Sequence, residues 1–105
     1  MLLSLHTRRH EEGTTVTVAG EVDPGSGQVL FDHALAVMGE QGPRLAVDLG
    51  EVTFMDSGGV EVLLAISDQA QLRGGRLHLV CVPPRVQWLL QVIGVEAALC
   101  SGATR

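Results

Sequence analysis

The run Leu45-Ala46-Val47-Asp48-Leu49, the loop Phe54-Met55-Asp56-Ser57-Gly58-Gly59-Val60 and a helical pattern continuing to about Arg73 read together as strand, short loop and helix. Such units alternating along a chain imply an α/β fold with a mainly parallel or mixed sheet. The loop puts Ser57 at the N-cap of its helix. A helix start presents backbone N–H groups without intrahelical partners and a partial positive charge. A hydroxyl there caps the helix, and a phosphate on that hydroxyl sits where negative charge is tolerated.

The N-terminal part adds a hairpin. Leu3, Leu5 and Thr7 alternate with Ser4, His6 and Arg8, the polar segment from Arg9 to Gly13 turns the chain, and the β-branched run Thr14 to Ala19 forms a second, antiparallel strand. Gly20 to Gly27 reads as a glycine-rich loop in which Asp23 or Ser26 caps the next helix. It is not a phosphate loop, because the Lys-Ser/Thr ending and the dinucleotide glycine spacing are both missing. From Gln28 to Glu40, Leu30, Phe31, Ala34, Leu35, Val37 and Met38 fall on one side, and His33 lies on the polar surface.

Leu45 to Leu49 lacks clean alternation, the pattern of a strand covered on both faces. Asp48 either braces the following loop or serves as a functional acid. In the helix after Ser57, Val60, Val62, Leu63, Leu64, Ile66 and Ala70 form a broad apolar face. Val60 and Leu64 at its edge are either core or open to a partner. Arg73-Gly74-Gly75 ends that helix. Arg76 to Val82 is another strand, closed by Pro83-Pro84. A helix from Arg85 to Ile93 follows, with Val86, Trp88, Leu89, Val92 and Ile93 inward. Val95 to Cys100 is a short strand or helix, and 101–105 is a frayed tail. The expected order is ββαβαβα in one domain spanning 1–100.

Charge and composition exclude several roles. A net charge of -5 opposes general nucleic-acid binding, which needs a basic face, and disfavours anionic membrane surfaces. No apolar run approaches the roughly 18 residues of a membrane span. The N-terminus lacks the pattern of a signal peptide, which points to the cytoplasm. Cys81 and Cys100, in apolar settings, read as buried thiols of a reducing compartment. His6, His10, His33 and His78 are scattered without metal-ligand spacing. Asp56-Ser57-Gly58-Gly59 matches the core of the trypsin-like nucleophile motif, but Met55 replaces the preceding glycine and no histidine has a catalytic context. The expectation is a binding module and not an enzyme.

Gly20-Glu21-Val22-Asp23, then Val52-Thr53-Phe54-Met55-Asp56-Ser57-Gly58-Gly59-Val60, then Gly74-Gly75-Arg76-Leu77 and Ile93-Gly94 occur in an order that resembles the STAS domain, and within it the stand-alone bacterial anti-sigma factor antagonists. The resemblance spans nearly the whole chain. It implies a small mixed sheet flanked by helices, and a protein that binds an anti-sigma factor with serine kinase activity and so frees a sigma factor. It implies phosphorylation at Ser57, reversed by a serine phosphatase, and no cofactor of the antagonist's own. The contact surface it implies is Glu21, Asp23, Asp56, Ser57, Gly58, Gly59, Val60, Glu61 and Leu64. One departure stands out: the family commonly carries Ser or Thr after the phosphorylated serine, where this chain has Gly58. The alternative is a STAS module of another system, a lipid-transport subunit or stress-signalling scaffold, without a phospho-switch.

Overall fold

A computed structural model describes residues 3–99; the expected tail at 101–105 and Cys100 lie outside the described residues. Strands Leu3–His10 (β1) and Gly13–Val22 (β2) fold back as an antiparallel hairpin around Glu11 and Glu12. Gly13 makes that corner possible. Its φ is 144°, and a Cβ there would lie 2.6 Å from the Arg44 carbonyl oxygen. Helix Pro24–Gln41 (α1), strand Arg44–Met55 (β3), helix Ser57–Leu72 (α2), strand Arg76–Val80 (β4) and helix Pro84–Ile93 (α3) follow, and the short last element is a helix, Glu96–Leu99 (α4). The expected ββαβαβα order is observed, with α4 added.

The sheet order is β1-β2-β3-β4, with β2, β3 and β4 parallel. Both crossovers step in the same direction across the sheet. With the right-handed connection that parallel strands require, α1 and α2 therefore land on the same face. Val16 and Val18 of β2, Val47 and Leu49 of β3, and Leu77 and Leu79 of β4 meet Leu30, Ala34, Leu63 and Ile66 of these helices in one buried cluster.

The opposite face corrects the reading of β3 as a strand covered on both sides. His6 and Arg8 are exposed there, and Thr15, Thr17, Asp48, His78 and Val80 are half-buried. Ala46 is buried because it is small and sits in register between Thr15 and His78 of the adjacent strands. A residue that is buried within the sheet looks, in sequence, like one buried beneath a second layer.

Three further expectations change. The inward face of α3 is set by Val86 and Leu90, while Trp88 and Val92 are each 62% exposed and Ile93 is 40% exposed. This helix is apolar on most sides, so periodicity alone does not select the buried stripe. Cys81 is exposed, not buried. It adopts a φ of 56°, which ends β4 at Val80, short of the expected Val82. The Asp48 carboxylate beside it, with some desolvation, pushes the thiol above its ordinary value, so the protonated form is favoured. Finally, His33 is half-buried and shares a 2.7 Å hydrogen bond with the Thr7 hydroxyl, tying α1 to β1.

Candidate functional site

Strands β2 and β3 end together, with Val22 beside Met55. Each is followed by an aspartate that caps a helix. Asp23 accepts a hydrogen bond from the Ser26 backbone N–H at 2.9 Å, and Asp56 accepts one from the Gly59 backbone N–H at 3.1 Å. Two helix starts thus emerge side by side from one end of the sheet, where open α/β folds collect their sites. The expected loop over Gly20 to Gly27 is largely absent. Gly20, Glu21 and Val22 continue β2 by pairing with Val52, Phe54 and Met55, and α1 begins at Pro24 instead of Gln28.

The first cap is reciprocal. The Asp23 backbone N–H donates to Ser26 Oγ at 3.0 Å, and that hydroxyl donates to the Glu21 carbonyl at 2.8 Å. The Ser26 N–H, then the Ser26 hydroxyl, hold the Asp23 carboxyl below its ordinary value of 3.8. A lowered folded-state value means that the stabilisation is fully present above the unfolded value and lost as pH falls through the folded one. Asp23→Asn, which keeps an N-cap acceptor, is therefore expected to be less stable than wild type at neutral pH and to converge with it below pH 3.8. Urea unfolding across the acid range checks this.

Ser57 is the first residue of α2, not its N-cap; Asp56 takes that role. The shift frees the hydroxyl. Ser57 is exposed, and among the described residues its side chain makes no hydrogen bond. The next two residues are glycines for steric reasons. A Cβ on Gly58 would fall 2.6 Å from Pro24 Cγ, and one on Gly59 would fall 2.6 Å from the Val22 carbonyl oxygen and 2.7 Å from Met55 Cγ. Gly27 meets Val62 in the same way, at 2.6 Å from its Cγ2. Small residues thus let α1 and α2 start in close contact. Between the two helices runs a shallow groove of about 350 Å³, with Pro24, Gln28 and Phe31 on one wall and Gly58, Glu61, Val62 and Ala65 on the other.

Of the residues implied as contacts, Ser57 and Glu61 are exposed, and Glu21, Asp23, Asp56, Gly58 and Leu64 are half-buried. Gly59 is buried, and Val60, at 1% exposure, is core. Asp48 lies off this site and accepts a hydrogen bond from the Gly50 N–H at 2.8 Å, bracing β3 where its register with β2 shifts. The α1 wall of the groove was not anticipated. The spacing of Asp23 and Ser26, read as a cap and its N3 partner, would have started α1 early enough to bring Gln28 and Phe31 alongside Ser57.

The chain matches the family model described as "Mlab, STAS domain" over residues 5–101. It belongs to the STAS family. Among STAS relatives, the anti-sigma-B factor antagonist of Bacillus subtilis (strain 168) is 30% identical over 96 residues, covering 91% of this chain and 87% of that protein. An anti-sigma factor antagonist from Mycobacterium paratuberculosis superposes with a TM-score of 0.81 at 23% identity, over 93% of this chain and 83% of that one. Unphosphorylated SpoIIAA, also an anti-sigma factor antagonist, superposes with a TM-score of 0.77 at 17% identity, over 91% and 85%. Within the described residues of this STAS domain, no cluster of His, Cys, Asp or Glu is placed to hold a metal ion, and no helix is long and apolar enough to cross a membrane.

Proposed function

We propose that this STAS domain is an anti-sigma factor antagonist. It binds an anti-sigma factor that is also a serine kinase, and is released when that kinase phosphorylates Ser57. A serine phosphatase resets it. The protein acts by binding in the cytoplasm, without catalysis or a cofactor of its own. The observation that supports this most directly is the exposed, unbonded Ser57 hydroxyl at the first position of α2, one residue before the groove wall at Gly58.

The physical mechanism is local. A phosphate adds about -1.5 to -2 charges at a position already flanked by Asp56 and Glu61. The α2 N-terminus offsets this by roughly 0.3–1 kcal/mol, so the fold is retained. A partner seated on Ser57 and the α1–α2 groove would then have to bury a hydrated dianion, which costs it a few kcal/mol. Release needs no refolding.

Affinity capture from native lysate tests the reading, with mass spectrometry of the partners and of Ser57. A histidine-kinase-like ATPase held by the bait, with phosphate recovered on Ser57, is the expected result. Capture of transport or scaffold subunits alone, with Ser57 unmodified, would instead place the domain among STAS modules of another system.

A further inference from the structure

All seven cationic side chains of this acidic protein are arginines, and they are not evenly spread. Arg8 of β1, Arg44 of β3 and Arg76 of β4 share the sheet face that carries no helices. The strand register explains why. Arg8 pairs with Thr15, Thr15 with Ala46, and Ala46 with His78, which makes one row across all four strands. The next row brings Arg44 and Arg76 directly opposite each other on neighbouring strands. Like charges so placed repel, and an anion held between them would offset this.

These rows enclose a depression of about 380 Å³. Ala46 and Val80 contribute its apolar part, and Thr15, Arg44, Arg76 and His78 its polar part. His10 also lines it, its ring nitrogen held 2.8 Å from the Thr15 hydroxyl. Glu12 stands among the lining residues as the single carboxylate. The volume lies in the range of small-ligand sites, which combine an apolar surface with a few convergent polar groups. Guanidinium groups bind phosphate in a bidentate fork, and strands about 4.8 Å apart bring two such forks within reach of one phosphate.

We propose that this depression binds a small ligand bearing a phosphate-type dianion, with Arg44 and Arg76 gripping the anion and Ala46 and Val80 supporting the uncharged part. The site lies at the start of β3, whereas Ser57 follows its end, so the proposal is independent of the phospho-switch.

Calorimetric titration of the intact chain with inorganic pyrophosphate, against sodium chloride of matched ionic strength, is the test. Saturable binding of pyrophosphate is expected. Arg44→Gln and Arg76→Gln should each weaken it about tenfold or more, and Arg44→Lys, which keeps the charge but not the fork, should fall between Arg44→Gln and wild type. Arg85→Gln, at the start of α3 and away from this face, should bind as wild type does. Thermal unfolding shows that each variant is folded. Co-sedimentation with phosphatidylcholine vesicles doped with phosphatidic acid separates two sources of the same chemistry: sedimentation marks a lipid headgroup, and pyrophosphate binding without sedimentation marks a soluble ligand. Absence of saturable binding, or equal weakening by Arg44→Gln and Arg85→Gln, would overturn the site.

Discussion

Ser57→Asp is expected to bind the anti-sigma kinase at least about a hundredfold more weakly than wild type, and to unfold at nearly the same temperature. The two halves of this result come from one position. Ser57 is exposed at the first residue of α2 and its hydroxyl supports nothing in the fold, so its replacement removes no internal contact. A carboxylate beside a helix N-terminus adds roughly 0.3–1 kcal/mol of favourable interaction, which moves the unfolding temperature slightly upward if at all. For the partner, the same carboxylate is a charge to be desolvated beside Asp56 and Glu61. The enzymatically phosphorylated chain should be weaker still, since phosphate carries more charge. Ser57→Ala should bind as wild type does and accept no phosphate. Titration of purified kinase with each form measures the effect, and equal affinity of the Ser57→Asp and wild-type chains would rule out the switch.

Gly58→Ser restores the residue type that the family commonly carries, yet it is expected to destabilise this protein by about 1–3 kcal/mol. The new Cβ would meet Pro24 Cγ at 2.6 Å and Pro24 Cδ at 2.9 Å. Both atoms belong to a rigid ring fixed at the first turn of α1, so neither can swing away. Serine is the better helix former by about 0.5 kcal/mol, which only partly offsets the clash. In a Pro24→Ala background the obstruction is gone, and the same substitution should become neutral or mildly stabilising. Denaturant unfolding of the four proteins yields the coupling energy. Additive costs would show that Pro24 is not what demands glycine at position 58. The glycine at position 58, where the family commonly carries Ser or Thr, thus answers to the Pro24 ring beside it.

The strand–loop–helix units were legible because each has a strong local signal. The β-branched run at Thr14 to Ala19 and the long apolar stripe after Ser57 both form what their periodicity predicts. What was misread depends on partners distant in sequence. Gly20 and Glu21 look like loop residues and are held as strand by pairing with Val52 and Phe54. Trp88 looks like core, but the single layer of helices has no room for a second face of α3, so it stays 62% exposed. Cys81 follows an apolar strand, and only its left-handed backbone turns it outward. The sequence places Ser57 at the start of α2 as its N-cap, whereas the structure gives the cap to Asp56 and makes Ser57 the first helical residue, a shift of one position. The groove wall from α1 was invisible until the start of that helix was fixed by Asp23 and Ser26.

The joint ending of β2 and β3 also bears on how the chain is made. Both aspartate caps hang from strands that pair only after the α1 crossover has closed, a non-local step that is slow compared with forming the β1–β2 hairpin. A chain that stops before Met55 lacks Asp56, Ser57 and α2, and so has none of the surface around Ser57. The paired helix starts around Ser57 therefore form late, once the chain has passed Met55 and β3 has joined β2.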